Sequence, residues 1–312
     1  MILKIPQKIY RYQSFSAQSL EALCHDQIYF SDPSAFNDPL DCSPSIESDT
    51  DAETLRKILS RLIQKRVEQE ILVSLKAANI EGDRGRQHAE RQAQKAAYNE
   101  LKSIAYQATN PEYEEGIEEA ERWQLTYSIQ RELLKQNNRG VCCLSEEYNN
   151  PLLWSHYSDQ HNGFCVGYSL DRNPKPQIHK VIYGGSRTVK TNLIARAILD
   201  SDIGAQKELD ASMLLRKAEP WGYEKEWRMF GNVGLQDSPL RLEEIIFGLR
   251  CSDAIMYSVM EALKPRDIKF YSMYVTRNSF ELKRTDDIYE MCSYFPRTSY
   301  SGIEIFGPAD SV

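Results

Sequence analysis

The sequence has no apolar run approaching the roughly 20 residues that a membrane-spanning helix needs, so no bilayer span is expected. It has no excess of positive charge either. Asp and Glu number 45 against 38 Lys and Arg, a formal net charge of -7, which gives no bulk attraction to nucleic acid or an anionic membrane, although a local basic groove is compatible with it. Seven cysteines, an odd number, stand at Cys24, Cys42, Cys142, Cys143, Cys165, Cys251 and Cys292 with no C-x-x-C pair. That spacing argues against a zinc or dithiol redox motif, and buried, reduced thiols in a cytoplasmic protein are expected instead. The first residues, "MILKIPQKIYRYQSF", lack the small-residue cleavage pattern of a secretion signal. Also missing are G-x-S-x-G, H-E-x-x-H and the dinucleotide fingerprint, which disfavours the common hydrolase, zincin and Rossmann readings. "YGGSRTVK" offers glycines before Arg187 and Lys190 but not the spacing of a P-loop, and a hairpin turn explains it as well.

What is present alternates between two characters. "KIYRY" and "QIYFS" read as strands around a helix, "AQSLEALCHD", with Ser16 as its N-cap. The loop "DPSAFNDPLDCSPS" follows, turn chemistry with Phe36 as its large apolar anchor. From 51 to 137 the chain turns to Glu, Lys, Arg, Gln, Ala and Leu with almost no Pro, the composition of long helices. Breaks at "IEGDRGRQH" and "ATNPEYEEG" divide it into about three, and Leu55, Ile58, Leu59, Leu62 and Ile63 recur at helical spacing. Strands return in "RGVCCLSEE", "GFCVGYSL", "HKVIYGG", "YEKEWRMF", "EEIIFG", "DIKFYSMYV" and "SFELKRT", with a short helix beginning near Asn150 and Pro151, a helical stretch near 189 to 218, and a helix in "SDAIMYSVMEALKP". An aromatic tail after 289 is expected to dock on the body. The whole predicts one α+β domain over 1–312, a mixed, mainly antiparallel sheet with a helical insertion at 51–137.

Three constellations carry chemistry. Arg11, between Tyr10 and Tyr12 in an early strand, either reaches a phosphate or carboxylate of a ligand or pairs with a carboxylate of the sheet. In "LLWSHYSDQHNGFCVGY", Trp154, His156, Tyr157 and His161 suit stacking on a flat ring, while His156 and His161, five apart, do not share a helix face as metal ligands would. In "EPWGYEKEWRMF", an extended chain would put Glu224, Glu226 and Arg228 on one face, about 7 Å between neighbours. Two carboxylates so placed repel unless a cation lies between them, and Arg228 neutralises only one. Either that face is solvated or it lines a site. Asn37, Asp38 and Asp41 serve as turn caps, or as ligands to a metal or a ribose hydroxyl.

Together "IYRYQSF", "IYFSDPSAFNDPLDC", "LWSHYSDQHNGFCVGY" and "WGYEKEWRMF" resemble, in order, the blocks of a bacterial domain-of-unknown-function family, number 2971. The block order also resembles the ADP-ribosyltransferase layout. That likeness implies NAD as substrate, with Glu226 as the catalytic carboxylate, Glu224 orienting the acceptor, and Tyr157 in the site. Arg11, Tyr12, Ser31, Asn37, Asp38, Trp154, His156 and Arg228 would then surround the dinucleotide, with no resident metal. One departure is plain: the Ser-Thr-Ser strand of that layout is missing, and "WSHY" stands loosely in its place. The expected activity is ADP-ribosyl transfer to a protein or nucleic-acid acceptor, or NAD hydrolysis, in a toxin or phage-defence setting. The alternatives are a metal-dependent nuclease or phosphoesterase built on Asp38, Asp41, Glu224 and Glu226, and a non-catalytic sensor whose helical insertion binds a partner protein.

Overall fold

The computed structural model describes residues 5–114, 116–136, 139–288 and 299–307. Cys292 and most of the aromatic tail lie outside them. The chain is α+β, and its main sheet is mostly antiparallel.

Strand β1 (Lys8–Gln13) leads into helix α1 (Ala17–Cys24), where Ser16 and Ser19 form a reciprocal capping box. Strand β2 (Gln27–Phe30) is followed by a short 3-10 turn and β3 (Ser45–Glu47). The insertion is three helices, α2 (Ala52–Ala77), α3 (Asp83–Gln107) and α4 (Ile117–Gln136). Asp51 caps α2 by accepting from Thr54 N at 2.7 Å, and Leu55, Ile58, Leu59, Leu62 and Ile63 are all buried. Ala89, Ala93 and Ala97 form a small-residue seam on α3. Next come β4 (Gly140–Ser145), α5 (Pro151–Tyr157), begun by Asn150 as cap and Pro151 in the first turn, and β5 (Phe164–Ser169). The expected strand "HKVIYGG" is two pieces, β6 (His179–Lys180) and β7 (Ile182–Tyr183), because the first pairs with a strand of the main sheet and the second leaves it. Strand β8 (Thr188–Lys190), helices α6 (Thr191–Ile198) and α7 (Ile203–Leu214), and β9 (Arg216–Lys217) precede β10 (Glu226–Gly231). The chain continues through β11 (Gly234–Asp237), β12 (Arg241–Phe247), α8 (Asp253–Leu263), β13 (Lys269–Val275), β14 (Leu282–Thr285) and α9 (Gly302–Phe306).

Eight strands join in the order β14-β13-β12-β5-β1-β4-β10-β6. Within this sheet, among the described residues, only β12 and β13 run parallel to each other, linked by α8 as a crossover. All six residues of β5 are buried, as a central strand covered on both faces requires. One face packs Ile9, Leu144, Val166, Trp227 and Met229 against Leu23 of α1 and Met256 and Val259 of α8. Across the other, Val141 meets the insertion together with α6 and α7, while Tyr10, Cys165 and Ile246 meet Trp154 of α5. The insertion thus shares a core with the sheet. None of the described helices is long and apolar enough to cross a membrane.

The sheet has one weak seam. Each of β1 and β4 pairs along six positions with its outer neighbour, β5 or β10. Between themselves they are registered only at Tyr10 opposite Ser145.

Candidate functional site

A cleft of about 370 Å³ lies at that seam, within the size range of small-molecule sites. Because side chains alternate along a strand, Tyr10 and Tyr12 leave β1 on one face and Arg11 on the other. Where β1 and β4 part, both sets open on the same cleft. The loop after β2 adds Ser31, Phe36 and Asn37, α5 adds His156 and Tyr157, and Glu224 and Glu226 stand at the floor.

Glu224 is not on the strand expected for it. Pro220 and Gly222 favour a turn, so 219–224 is a 3-10 helix, and Lys225 takes a left-handed φ of 45° before β10 begins at Glu226. Only Glu226 and Arg228 keep the alternating register of a strand. The two glutamates converge all the same, and the cation between them is one the sequence reading missed.

Lys217, at the end of β9, places Nζ 2.5 Å from Glu224 Oε2, 3.1 Å from Glu226 Oε2 and 3.4 Å from Asp41 Oδ2. The same ammonium lies 5.1 Å from the centre of the Trp221 ring. Arg228, wholly buried, completes the cluster. Its Nε is 2.7 Å from Glu226 Oε1, and its Nη2 is 2.7 Å from Asp41 Oδ2 and 3.0 Å from Glu226 Oε2. Three carboxylates therefore share two buried cations. Tyr183 of β7 adds a further restraint by accepting the Glu226 backbone N–H at 2.8 Å. Since β7 and β9 pair only with each other, this two-stranded clip holds Glu226 from beside the main sheet.

The environment splits the two glutamates. Burial alone would raise Glu226, but Arg228 and then Lys217 outweigh it and hold the group down at about 2. Burial is also the largest influence on Glu224, and there it prevails over Lys217 and Tyr157, so that carboxyl is raised. Lys217 is raised as well, burial being outweighed by Glu226 and Glu224. Tyr157 donates its hydroxyl to Glu224 Oε1 at 2.7 Å, and burial, with the Glu224 charge beside it, pushes its own titration up. The floor thus carries one carboxylate held down by two cations and another raised by burial.

Arg11 has the opposite character. It makes no ion pair among the described residues, and its Nη1 lies 3.5 Å from Cys142 Sγ. The expected alternative, pairing with a sheet carboxylate, is not what the geometry shows. An arginine that lines the cleft and has no carboxylate partner among the described residues is suited to an anionic group on a ligand.

Of the residues expected to surround a ligand, Arg11, Tyr12, Ser31, Asn37, His156, Tyr157, Glu224 and Glu226 line the cleft. Three do not. Trp154 is fully buried, donating Nε1 to Tyr148 O at 2.8 Å with its ring edge-to-face against Tyr12, so it buttresses the wall instead of stacking on a ligand. Arg228 is enclosed by its ion pairs. Asp38 accepts Trp221 Nε1 at 2.8 Å and faces away from the cleft as a rim brace. His161, whose ring stacks on Trp154 at 6.0 Å, supports α5 from beneath. Lys217, Cys143, Ser145 and Phe36 join the lining unpredicted as site residues, and Asp41 does so outside the metal role considered for it. The thiols divide too: Cys42, Cys142 and Cys165 are buried as expected, while Cys24 and Cys143 are exposed.

A shared metal would need Asp38, Asp41, Glu224 and Glu226 around one ion. Three of them instead converge on the Lys217 ammonium, and Asp38 is bound to Trp221.

Residues 153–229, from within α5 into β10, match the model of a protein family of unknown function, DUF2971, the family whose blocks the sequence resembles. The matched stretch includes His156, Tyr157, Lys217, Glu224, Glu226 and Arg228, and leaves Arg11 and the loop after β2 outside it. No curated protein and no solved structure matches the chain.

Proposed function

We propose that the cleft binds NAD and breaks its nicotinamide–ribose bond, passing the ADP-ribosyl group to an acceptor or to water. The observation that carries this reading is the meeting, at the β1/β4 seam, of an arginine without a carboxylate partner and a glutamate held as an anion. Arg11 suits a phosphate of the dinucleotide. Rings of Tyr12, Phe36, His156 and Tyr157 suit its flat base, and Glu226 suits the sugar. Cleavage sends the bonding electron pair out with nicotinamide, which leaves neutral, and positive charge develops on the ribose as in glycoside hydrolysis. A preorganised carboxylate stabilises that charge without reorganising. The acceptor or water then bonds to the same carbon and gives up a proton. Glu224, raised by burial and joined to Tyr157, is the group suited to take it.

Arg11→Ala is the first test, because Arg11 stands outside the buried ion cluster and its loss should leave the fold intact. Titration calorimetry with NAD and with ADP-ribose should show affinity lowered by about 10- to 100-fold, the worth of a charge-assisted hydrogen bond. Nicotinamide release, measured with and without cell lysate, should fall in parallel. Absence of NAD binding and turnover in the wild type, or unchanged affinity in the variant, would overturn the assignment.

A further inference from the structure

A second cavity, of about 300 Å³, lies behind the loop that walls the cleft. Phe36 and Asp41 belong to the walls of both. Its far side is Leu134 of α4, and its lining includes Asp32, Asp38 and Asp41 with no Lys, Arg or His. Asp32 is exposed, and hydrogen bonds from Ser34, side chain first and then backbone, hold its carboxyl below the usual range, so it is an anion at neutral pH. The apolar part of the lining comes from Pro33, Phe36, Pro39 and Leu134.

Leu134 also ends a stripe. At about 100° per residue, positions 123, 127 and 134 of a helix fall within about 40° of one another, so Trp123, Tyr127 and Leu134 share one face of α4. They are 60%, 51% and 36% exposed. The Trp123 and Tyr127 rings stack with centroids 5.7 Å apart and planes 4° apart, and the Arg131 guanidinium lies 5.8 Å from the centre of the Tyr127 ring. Most of the helix's other apolar residues are buried, Leu125, Ile129 and Leu133 among them in the insertion core, so this aromatic face is not a by-product of core packing. At 1.5 Å per residue, Trp123 and Leu134 are about 16 Å apart along the axis, a span that about five extended residues cover.

We infer that this stripe and the aspartate-walled cavity dock an extended polypeptide segment carrying a basic side chain. Its apolar residues lie on Trp123 and Tyr127, and the basic group enters beside Asp32 and Asp38. Charge decides the partner class: Asp41 is held by Arg228 and Lys217, but Asp32 and Asp38 make no ion pair among the described residues, and with no base in the lining these two repel a phosphate backbone and attract an ammonium or guanidinium. Because Phe36 and Asp41 form a shared wall, a segment seated there brings its neighbouring residues to the edge of the cleft. Naming the segment as the acceptor rests on the NAD reading; the docking itself does not.

The test uses a fluorescein-labelled nonapeptide of alternating Leu and Arg, the same peptide with citrulline for Arg, and a fluorescein-labelled oligo-dT. Anisotropy with the full chain is expected to show the arginine peptide binding at least about 10-fold more tightly than the citrulline peptide, a difference worth about 1.4 kcal/mol. Asp32→Asn and Trp123→Ala, both outside the cleft, should each weaken the arginine peptide by a similar factor and leave nicotinamide release from NAD unchanged. Equal binding of the two peptides, or binding indifferent to both substitutions, would overturn the docking site. So would oligo-dT binding that depends on Trp123 in the absence of peptide binding. Peptide binding with the expected dependence, in a protein that neither binds nor consumes NAD, would uphold the docking site and remove the NAD reading.

Discussion

Replacing Lys217 by Met is expected to cost about 3–5 kcal/mol of stability at neutral pH, the range found when one partner of a buried ion cluster is deleted, and to lower Tm by on the order of 10 °C. Lys217 is 8% exposed, and its ammonium is the common partner of Asp41, Glu224 and Glu226. Without it the three carboxylates crowd round Arg228 alone. The deficit should depend on pH, with a definite sign. In the wild type, Glu226 has a folded value of about 2, below its ordinary 4.5, so its contribution is fully present above about pH 4.5 and is lost as pH falls toward 2. Lys217 is raised above 10.5, so its contribution is fully present below that value and is lost only in strong alkali. The wild type should therefore hold this stabilisation across the neutral range. In Lys217→Met the carboxylates lose the charge that kept them ionised, their titration moves up, and protonation relieves the crowding. The difference in Tm between variant and wild type should be larger at pH 8 than at pH 5. Scanning fluorimetry across that interval reads it directly, and a difference that stays constant would show that the carboxylates do not depend on Lys217.

The elements were legible because local chemistry and burial agree in them. The Ser16 cap, the helix start at Asn150 and Pro151, and the spacing of Leu55 through Ile63 each state in sequence what the packing then uses. Much of the cleft lining was legible too, since Arg11, Tyr157 and Glu226 are residue types with few reasons to sit where they do unless they face a site. Lys217 was not. It comes seven residues before Glu224, after a helix, in a two-residue strand whose only partner is β7, and no periodicity marks a side chain delivered from such a clip. The turn at 219–224 reads as a strand for a related reason. Charges at every second position mimic a strand, and Pro220 and Gly222 were the competing signal that prevailed. Trp154 and Arg228 illustrate a different limit. Sequence identifies residues near a site but not whether they face it, and both lie one layer too deep, as a buttress and a buried counter-ion.

That distinction gives Glu226 and Glu224 opposite expected behaviour when each becomes Gln. Glu226→Gln deletes the anion that Arg228 and Lys217 hold at about 2, leaving the fully buried Arg228 with Asp41 as its remaining carboxylate. A loss of about 3–5 kcal/mol is expected. Activity should be measured near 20 °C, where near-ultraviolet circular dichroism verifies the fold. There nicotinamide release should fall roughly 100-fold or more, while NAD affinity, carried by Arg11, changes little. Glu224→Gln removes a charge that burial already disfavours. It turns three carboxylates against two cations into two against two, and the amide oxygen still accepts from Tyr157. Its stability should stay within about 1 kcal/mol of wild type, with either sign open to the loss of one Lys217 partner. Transfer to a macromolecular acceptor should drop at least about 10-fold in this variant, while hydrolysis of NAD by water falls less, because an ordered acceptor has more need of a positioned group to take its proton. If the two glutamines behave alike in both stability and turnover, the division of roles set by their environments is wrong, and the cluster acts only as a structural unit beneath the cleft.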